Sequence, residues 1–209
     1  MRYLISISIL FGLFGCNNFY KNLNPISNST EISARYIPDF KNTLYKVNIS
    51  ILNKRLGGLL LIKKMEDSSL RYVFSNEIGI KFFDFKYTNK GVFSVEYIMS
   101  QLNKIDIINT LKTDFEVLQM NFSNGKCESF ESKVNTTEFY LINKIDSIPE
   151  SYAYIFDKID SLNVKAATIK SKKIITSFCI IYSDTNIPDS VAINHHKLNF
   201  KINLKQLKR

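Results

Sequence analysis

The sequence predicts a mainly β domain of the α+β class, in which one curled antiparallel sheet of about ten or eleven strands is covered by a helical lid. Most of the chain alternates apolar and polar residues in steps of two, which is typical of half-buried strands. One long segment instead repeats its apolar residues every three or four positions, which indicates an amphipathic helix. Most links are short and favour antiparallel neighbours, and a sheet of that many strands must curl, split or close.

The first two predicted strands are residues 44–52 and 57–64. In the first strand, Tyr45, Val47 and Ile49 share one face, and the residues between them are mostly polar. The second strand opens with two glycines, which allow a bend, a bulge or a close backbone contact. Two further strands are predicted at residues 70–76 and 80–87.

The fourth and fifth strands form a predicted hairpin with an aromatic face. Residues 80–87 place Phe83 and Phe85 together on one face. The chain then turns at the sequence Asn-Lys-Gly, residues 89–91, which is typical of a hairpin turn. The fifth strand follows, and its residues Phe93, Val95 and Tyr97 are expected to share one face.

An amphipathic helix is predicted at residues 103–120, after these five strands. Asn103 is expected to cap its start, and Asp106 falls in its first turn. The apolar residues that recur at helical spacing are Ile108, Leu111, Phe115 and Leu118. This stripe needs an apolar surface to cover, and the concave face of the curled sheet provides one.

Strands resume after the helix and continue to the end of the chain. The predicted segments are residues 136–143, 152–158, 162–170, 173–184 and 198–207, with a shorter one at 189–193 after Pro188. The last of them alternates cleanly, with Leu198, Phe200, Ile202 and Leu204 on one face. Strands of the sheet are therefore predicted both before and after the helix in the sequence.

The first 15 residues are predicted to be a lipoprotein signal peptide. The apolar run from Leu4 to Phe14 is too short to span a bilayer as a helix and has the length of a secretory signal. The run ends in Leu-Phe-Gly-Cys at Cys16, which resembles the lipobox of bacterial lipoproteins. That resemblance implies lipid attachment at Cys16 and cleavage before it. An ordinary secretory signal with an unrelated cysteine, and a short membrane anchor, are the alternatives.

Residues 16–36 are predicted to be a flexible tether, and residues 37–209 the folded domain. The tether is rich in asparagine and serine and has no sustained apolar period. The positions directly after Cys16 carry no acidic residue. In similar lipoproteins of the Bacteroidetes type, acidic residues there mark export to the cell surface. The resemblance therefore implies an anchor in the outer membrane, on its periplasmic face.

The formal net charge is +9, and the basic residues are spread along the chain. Such lysines are expected to form the solvated face of a sheet, or to contact an anionic partner such as a phospholipid headgroup or lipopolysaccharide. An envelope location makes a nucleic-acid partner unexpected. Cys127 and Cys179 are expected either to form a disulfide or to remain free thiols.

No catalytic or metal-binding motif stands out, and the sequence predicts neither an enzyme nor a cofactor. Nucleophile elbows, P-loops and zinc-protease motifs are missing from the chain. His195 and His196 are adjacent, so on a strand they would point to opposite faces and would not bind one metal together. Asp84 interrupts an apolar strand and is expected to face solvent or to pair with a lysine.

The order of elements resembles the Lol-type lipoprotein carriers and receptors. The resemblance is strongest over GLLLIKK, RYVFSNEIGIKFFDFKY, GVFSVEYI and INTLKTDFEVL. It implies a LolA/LolB-like half-open β-barrel with a helical lid and a hydrophobic cavity that takes acyl chains. The residues expected to line that cavity are Tyr45, Val47, Ile49, Phe83, Phe85, Phe93, Val95, Tyr97, Ile108, Leu111, Phe115 and Leu118.

The expected function is therefore non-catalytic binding of a lipid, an acyl chain or a lipoprotein segment by a membrane-anchored envelope lipoprotein. The alternative is a structural or adaptor lipoprotein, whose filled core holds no ligand and whose surface contacts other proteins of an envelope complex. A cavity between helix and sheet would distinguish the two.

Overall fold

In a computed structural model of the chain, the described residues form one antiparallel sheet of 13 strands and a long helix. It describes residues 23–26, 37–51, 54–120, 125–132, 137–144, 151–157, 160, 162–183, 186–197 and 199–208. The signal peptide predicted at residues 1–15 and the lipid site predicted at Cys16 lie outside these residues.

The elements follow the predicted order. The strands before the helix are β1 (Leu23–Pro25), β2 (Asn42–Ile51), β3 (Lys54–Lys64), β4 (Leu70–Ser75), β5 (Lys81–Tyr87) and β6 (Phe93–Ile98). A single 3-10 turn at Ser100–Leu102 leads to the helix α1 (Ile105–Gln119). The strands after it are β7 (Gly125–Ser132), β8 (Thr137–Lys144), β9 (Ser151–Asp157), β10 (Asn163–Lys170), β11 (Lys173–Ile181), β12 (Ser190–His195) and β13 (Phe200–Gln206).

The strand order confirms a curled, open sheet. It runs β1-β7-β8-β9-β10-β11-β12-β13-β2-β3-β4-β5-β6, so the last strand of the chain pairs with β2. All the pairings are antiparallel, and β1 and β6 are the two edges. Within the described residues, no helix is long and apolar enough to cross a membrane.

One face of the sheet carries the core. The alternation predicted for β2 is confirmed, since Tyr45, Val47 and Ile49 are buried and face inward. The register continues this face across the sheet, from Leu204 of β13 beside Val47 to Leu60 of β3 beside Tyr45. The sheet therefore curls around one continuous apolar surface.

Gly58 allows two strands to approach closely. A side chain at this position would overlap the backbone carbonyl of Ser75 on β4, so no other residue fits without displacement. At Gly57 the nearest atom to an added Cβ is Oδ1 of Asn48, at 3.7 Å. Of the bend, the bulge and the close backbone contact that the glycine pair was expected to allow, the close contact occurs at Gly58.

The face predicted for β6 needs one correction. The register between β5 and β6 shifts between Asp84 and Phe85, so Val95 lies opposite Phe85 but Tyr97 lies opposite Asp84. A β-bulge of this kind inserts one residue and moves the following side chain to the other face. Tyr97 therefore lies on the outer face, where its ring contacts Lys81 at 5.7 Å, and does not share the inner face with Phe93 and Val95.

Helix α1 is slightly shorter than predicted. It begins at Ile105 with Lys104 as its N-cap residue, and no side chain caps it, so Asn103 does not take the expected role. It ends at Gln119, and the left-handed backbone of the C-cap residue Met120 closes the last turn.

Two strands were not expected. Strand β7 has few large apolar residues, and its inward positions include Ser129 and Cys127 beside Tyr140 and Ile142 of β8. Strand β1 lies within the segment predicted as a tether. It pairs with β7, and the N–H of Ile26 donates to the carbonyl of Ser129 at 3.0 Å.

Candidate functional site

Helix α1 packs directly on the concave face through one aromatic side chain. The ring of Phe115 stacks on Tyr72 of β4, with ring centroids 4.5 Å apart. It also contacts Phe83 and Phe85 of β5, at 5.8 and 6.4 Å. Both Phe115 and Tyr72 are buried. The centre of the helix is therefore fixed against β4 and β5.

Tyrosine hydroxyls hold the same helix from two sides. Tyr87 of β5 donates to the carbonyl of Lys112 at 2.7 Å, and Tyr154 of β9 donates to the carbonyl of Val117 at 2.9 Å. Tyr152 of β9 donates to Glu116 Oε2 at 2.7 Å. Burial raises the pKa of all three tyrosines, so their hydroxyls remain protonated donors at neutral pH.

A carboxylate, an imidazole and a hydroxyl meet beneath the helix. Asp114 Oδ2 lies 3.0 Å from Nε2 of His195 on β12, and Nδ1 of His195 lies 3.1 Å from Oγ1 of Thr176 on β11. Hydrogen bonds on both ring nitrogens therefore join the carboxyl group of Asp114, the imidazole and the hydroxyl of Thr176. The imidazole also stacks on Phe200, with centroids 4.7 Å apart.

These groups are almost completely closed off from solvent. The side chain of Asp114 is fully buried, and that of His195 nearly so. Burial raises the pKa of Asp114, although the hydrogen bond and the charge of His195 act in the opposite direction. The three groups resemble a catalytic triad in type, but the helix covers them, so the hydroxyl is not presented to a substrate.

Two polar atoms at this place have no partner among the described residues. They are Oδ1 of Asp114 and Oγ1 of Thr168, and both residues are buried. Thr168 lies on β10 between Tyr152 of β9 and Thr176 of β11 in the sheet register.

The predicted cavity residues fall into three groups. Those that are buried in the core are Tyr45, Val47, Ile49, Phe83, Phe85, Leu111, Phe115 and Leu118. Phe93 and Ile108 are half-buried, and Val95 is 38% exposed on the inner face. Tyr97 is 45% exposed on the outer face, for the reason given above.

The half-buried residues lie along one seam. We call the apolar edge where α1 faces β6 the α1–β6 seam; its residues are Phe93, Val95 and Ile98, which lie opposite Tyr87, Phe85 and Phe83 of β5, and Ile108 of the helix. The ammonium group of Lys112 lies 5.7 Å from the Phe93 ring, which places this side of the helix beside β6. Ile108 is one turn before Lys112 and shares its side of the helix.

Burial changes along the helix. Its first turns are partly exposed to solvent, since Ile105 is 68% exposed and Ile107 and Ile108 are half-buried. Six residues are buried, and all lie at or after Leu111: Leu111, Asp114, Phe115, Val117, Leu118 and Gln119. The C-terminal half is thus buried against the sheet, whereas the N-terminal half is partly exposed to solvent.

Asp84 faces away from the seam and forms an ion cluster on the outer face. It pairs with Arg71 at 2.7 Å and with Lys81 at 2.8 Å. The expected pairing with a lysine is therefore found, together with an arginine that the local sequence did not indicate. Burial alone would raise the pKa of Asp84, but the hydrogen bonds and charges of Arg71 and Lys81 outweigh it and lower that pKa.

The two remaining cysteines are free thiols. Cys127 is half-buried on β7, and Cys179 is exposed on β11.

Two surface cavities lie at opposite ends of β2. One, of about 210 Å³, is lined by Ser50, Ile51, Arg55 and Asn199. The other, of about 440 Å³, is lined by residues that include Lys41, Thr43, Gln206 and Lys208.

Comparison with known proteins shows the fold. No family model matches the sequence, and no curated protein resembles it closely enough to be matched. A LolA superfamily protein from Nitrosomonas europaea has a similar structure, with a TM-score of 0.53 and 9% sequence identity, over 84% of this chain and 88% of that one. The chain thus has a LolA-like half-open barrel with a helical lid.

Two weaker likenesses accompany this one. A candidate outer membrane lipoprotein-sorting protein domain from Vibrio parahaemolyticus has a TM-score of 0.46 at 10% identity, over 84% of this chain and 86% of that one. A DUF1329 family protein from Desulfovibrio piger has a TM-score of 0.47 at 9% identity, over 82% and 86%. Neither is close enough to add to the assignment of the fold.

Proposed function

We propose that this chain is a non-catalytic envelope lipoprotein that binds an acyl chain, from a lipid or a lipidated protein segment, at the α1–β6 seam. The gradient of burial along α1 carries the proposal. Apolar residues of the seam stay partly exposed at the N-terminal half of the helix, beside a core made of aromatic rings. The LolA-like fold supports the same class of function.

The seam suits a chain-like ligand. Phe93 lies 5.2 Å from Phe85, and Phe85 lies 6.4 Å from Phe115, so a continuous row of rings leads inward from β6. An acyl chain that enters between Ile108 and Val95 would bury its methylene groups on these rings. Each buried methylene contributes about 0.8 kcal/mol. The N-terminal half of α1 moves aside, whereas the buried C-terminal half keeps its contacts.

The proposed attachment is a lipid anchor at Cys16, in the outer membrane and on its periplasmic face. One acyl chain holds a protein only marginally, and two or more hold it stably. With such an anchor the seam stays near a membrane and near lipidated partners. Cys16 lies outside the described residues, and the lipobox resemblance supports this part of the proposal.

An adaptor function is the second candidate, and one observation favours it. Phe115 fills the space between α1 and the sheet by direct contact with Tyr72, at 4.5 Å. If the core is permanently filled, the domain serves protein contacts instead of a ligand. Retention of a lipid distinguishes the two functions.

The test is native mass spectrometry of the full chain with Cys16→Ala, after incubation with vesicles of phosphatidylethanolamine and phosphatidylglycerol. The acyl-binding proposal predicts one retained lipid mass, which detergent removes. Val95→Asn should reduce retention by placing an amide in the seam. Tyr97→Asn is the matched control, because Tyr97 lies two residues away but on the outer face.

A chain that stays free of lipid in this experiment would favour the adaptor function. Equal loss of lipid in the Val95→Asn and Tyr97→Asn variants would place the ligand elsewhere on the domain. Loss in the Val95→Asn variant alone would support the seam.

A further inference from the structure

Six neighbouring strands of the sheet contain no acidic residue. They are β10, β11, β12, β13, β2 and β3, which follow one another in the strand order. None of them contains aspartate or glutamate, and all except β12 contain lysine. The acidic residues of the strands lie outside this group, for example Asp84 on β5, Glu96 on β6 and Asp157 on β9. One continuous part of the sheet therefore carries positive charge that its own strands do not balance.

The basic side chains of these strands lie on the outer face of the sheet. Lys46 alternates with buried residues of β2, and Lys201 and Lys205 alternate with buried residues of β13. Lys165 is exposed between two buried neighbours on β10, and Arg55 is exposed on β3. We call this surface the basic outer face; its residues are Lys46, Arg55, Lys165, Lys201 and Lys205.

Two of these lysines lie directly opposite each other. The register pairs Lys46 of β2 with Lys205 of β13. On the strands that flank this pair, the same row continues with the uncharged residues Ser190 and Leu59. Like charges at directly opposed positions destabilise a sheet. The arrangement thus costs folding free energy, and an anion bound from outside would offset that cost.

The chain balances its cations elsewhere on the outer face, but not here. Asp84 forms ion pairs with an arginine of β4 and a lysine of β5. Among the described residues, no acidic side chain forms an ion pair with the basic outer face. Asp189 interacts with the charge of Lys205, but its carboxylate lies 3.1 Å from the ammonium group of Lys208. The basic outer face is therefore available to an anionic partner.

The middle of this face has low relief and widely spaced charges. Between the rows that hold Lys205 and Lys201, the register places Asn203 beside Asn48, and Asn48 beside Gly57. Lys201 and Lys205 are four residues apart on one strand, which corresponds to about 14 Å. Charges spaced in this way over a surface of short side chains suit a layer of separate anionic groups better than one small anion.

One end of the face also has a recess for a phosphate group. Lys201 lies opposite Ser50, and Ser50 lies opposite Arg55. Ser50 and Arg55 line the smaller of the two surface cavities. A guanidinium group binds phosphate oxygens through two parallel hydrogen bonds, and a neighbouring hydroxyl can donate a third.

We propose that the basic outer face binds the anionic surface of a phospholipid membrane. Lysine and arginine side chains near an anionic leaflet each increase membrane affinity about fivefold. The inference does not depend on acyl binding, because the α1–β6 seam lies along the inner face of the sheet. A domain bound in this way lies with its outer face on the membrane and its helix directed away from it.

The experiment measures sedimentation of the full chain with Cys16→Ala on two kinds of vesicle. One kind contains phosphatidylglycerol and phosphatidylethanolamine, and the other contains only the zwitterionic lipid phosphatidylcholine. Binding to the zwitterionic vesicles measures any contribution of the apolar leader or of the seam. The proposal predicts at least about tenfold tighter binding to the anionic vesicles at about 50 mM salt. This preference should disappear at about 0.5 M salt, which screens exposed charges.

Two double variants of equal charge locate the contact. Lys46→Gln with Lys205→Gln should reduce the preference for anionic vesicles at least about tenfold. The same variant should melt no lower than the parent chain, because it removes a contact between like charges. Lys90→Gln with Lys104→Gln is the matched control. Both of its lysines are exposed, one in the turn before β6 and one at the start of α1, and it should keep most of the preference.

Each outcome decides the proposal. A salt-sensitive preference that only the Lys46→Gln, Lys205→Gln variant loses supports the basic outer face. Equal losses in the two double variants would mean that net charge alone attracts the chain, and would overturn the assignment of the face. Equal binding to both kinds of vesicle, or binding to neither, would overturn it as well. Val95→Asn should leave the preference unchanged, so failure of the seam and failure of this face are distinguishable.

Discussion

The carboxylate of Asp114, in the middle of α1, lies 3.0 Å from Nε2 of His195, at the end of β12. This contact joins two residues that are 81 positions apart in sequence and links the lid to the side of the sheet opposite β4 and β5. It is buried and polar within an apolar interior. Its strength therefore depends on the protonation of Asp114.

Asp114→Asn tests this dependence. Burial raises the pKa of Asp114 above its usual value of 3.8, so this group favours folding at low pH and opposes it as pH rises through the folded-state pKa. The original chain should lose thermal stability relative to the Asp114→Asn variant as pH rises from 4 to 8. Melting curves of both chains across this range measure the difference. Parallel stability profiles would show that the ionisation of Asp114 does not influence folding.

Gly58→Ala should destabilise the sheet strongly. The added methyl group overlaps the carbonyl of Ser75, and relieving that overlap requires β3 and β4 to separate. We expect a loss of about 2 kcal/mol or more in the free energy of unfolding, measured by urea denaturation. Gly57→Ala is the matched control, with 3.7 Å of clearance, and should cost less than about 1 kcal/mol. Equal effects of the two substitutions would contradict the close approach at Gly58.

Asp84→Asn should remove the anion that Arg71 and Lys81 share. We expect the free energy of unfolding to fall by about 2 kcal/mol at neutral pH, because hydrogen bonds to charged groups contribute more than hydrogen bonds between neutral groups. The pKa of Asp84 is lowered in the fold, so its contribution is present above the ordinary pKa and is lost as pH falls through the folded-state pKa. Asp39→Asn, at an exposed pair with Lys41, should change stability by less than about 0.5 kcal/mol. A similar loss in both variants would argue against a special role for the cluster.

The two free cysteines should differ in reactivity. Cys179 is exposed on β11, whereas Cys127 is half-buried and burial raises its thiol pKa. A thiol-specific reagent should therefore label Cys179 first and Cys127 slowly, as followed by peptide mapping. Rapid labelling of Cys127 would mean that the β7 edge opens readily. Resistance of both thiols to labelling would indicate an oxidised pair.

Local patterns predicted most of the fold. The alternation of Tyr45, Val47 and Ile49 gave the inner face of β2, and the three- and four-residue period around Phe115 gave the helix. These features depend on neighbours in sequence. The strand β7 escaped prediction because its inward positions include Ser129 and a lone cysteine, so its apolar period is weak. Strand β1 has three residues and owes its conformation to the edge of β7.

The site residues that local patterns misplace or miss depend on contacts between segments that are distant in sequence. Tyr97 was assigned to the inner face by simple alternation, and only the bulge opposite Asp84 and Phe85 reverses it. His195 and Thr176 looked like polar residues near strand ends. Their contact with Asp114 depends on how α1 lies across the sheet, which neither segment specifies by itself. The sequence offers one local signal of the site. Asp114 is a charged residue at a position of the helix that faces inward.

Cys16→Ala should release the protein from membranes. The lipobox resemblance makes this cysteine the attachment point for acyl chains, and two or more chains are needed for stable anchoring. Fractionation of cell envelopes, together with metabolic labelling by a palmitate analogue, measures both properties. Continued membrane association of the unlabelled variant would point to an uncleaved apolar anchor instead.

Photo-crosslinking with a dodecyl chain that carries a diazirine near its methyl end tests acyl binding at the seam most directly. After irradiation of the full chain with Cys16→Ala, peptide sequencing by mass spectrometry locates the attached chain. The account predicts attachment along the α1–β6 seam, at Phe93, Val95, Ile98 and Ile108, with Tyr97 unlabelled. Attachment mainly at Tyr97 and the outer face, or no saturable attachment, would contradict it.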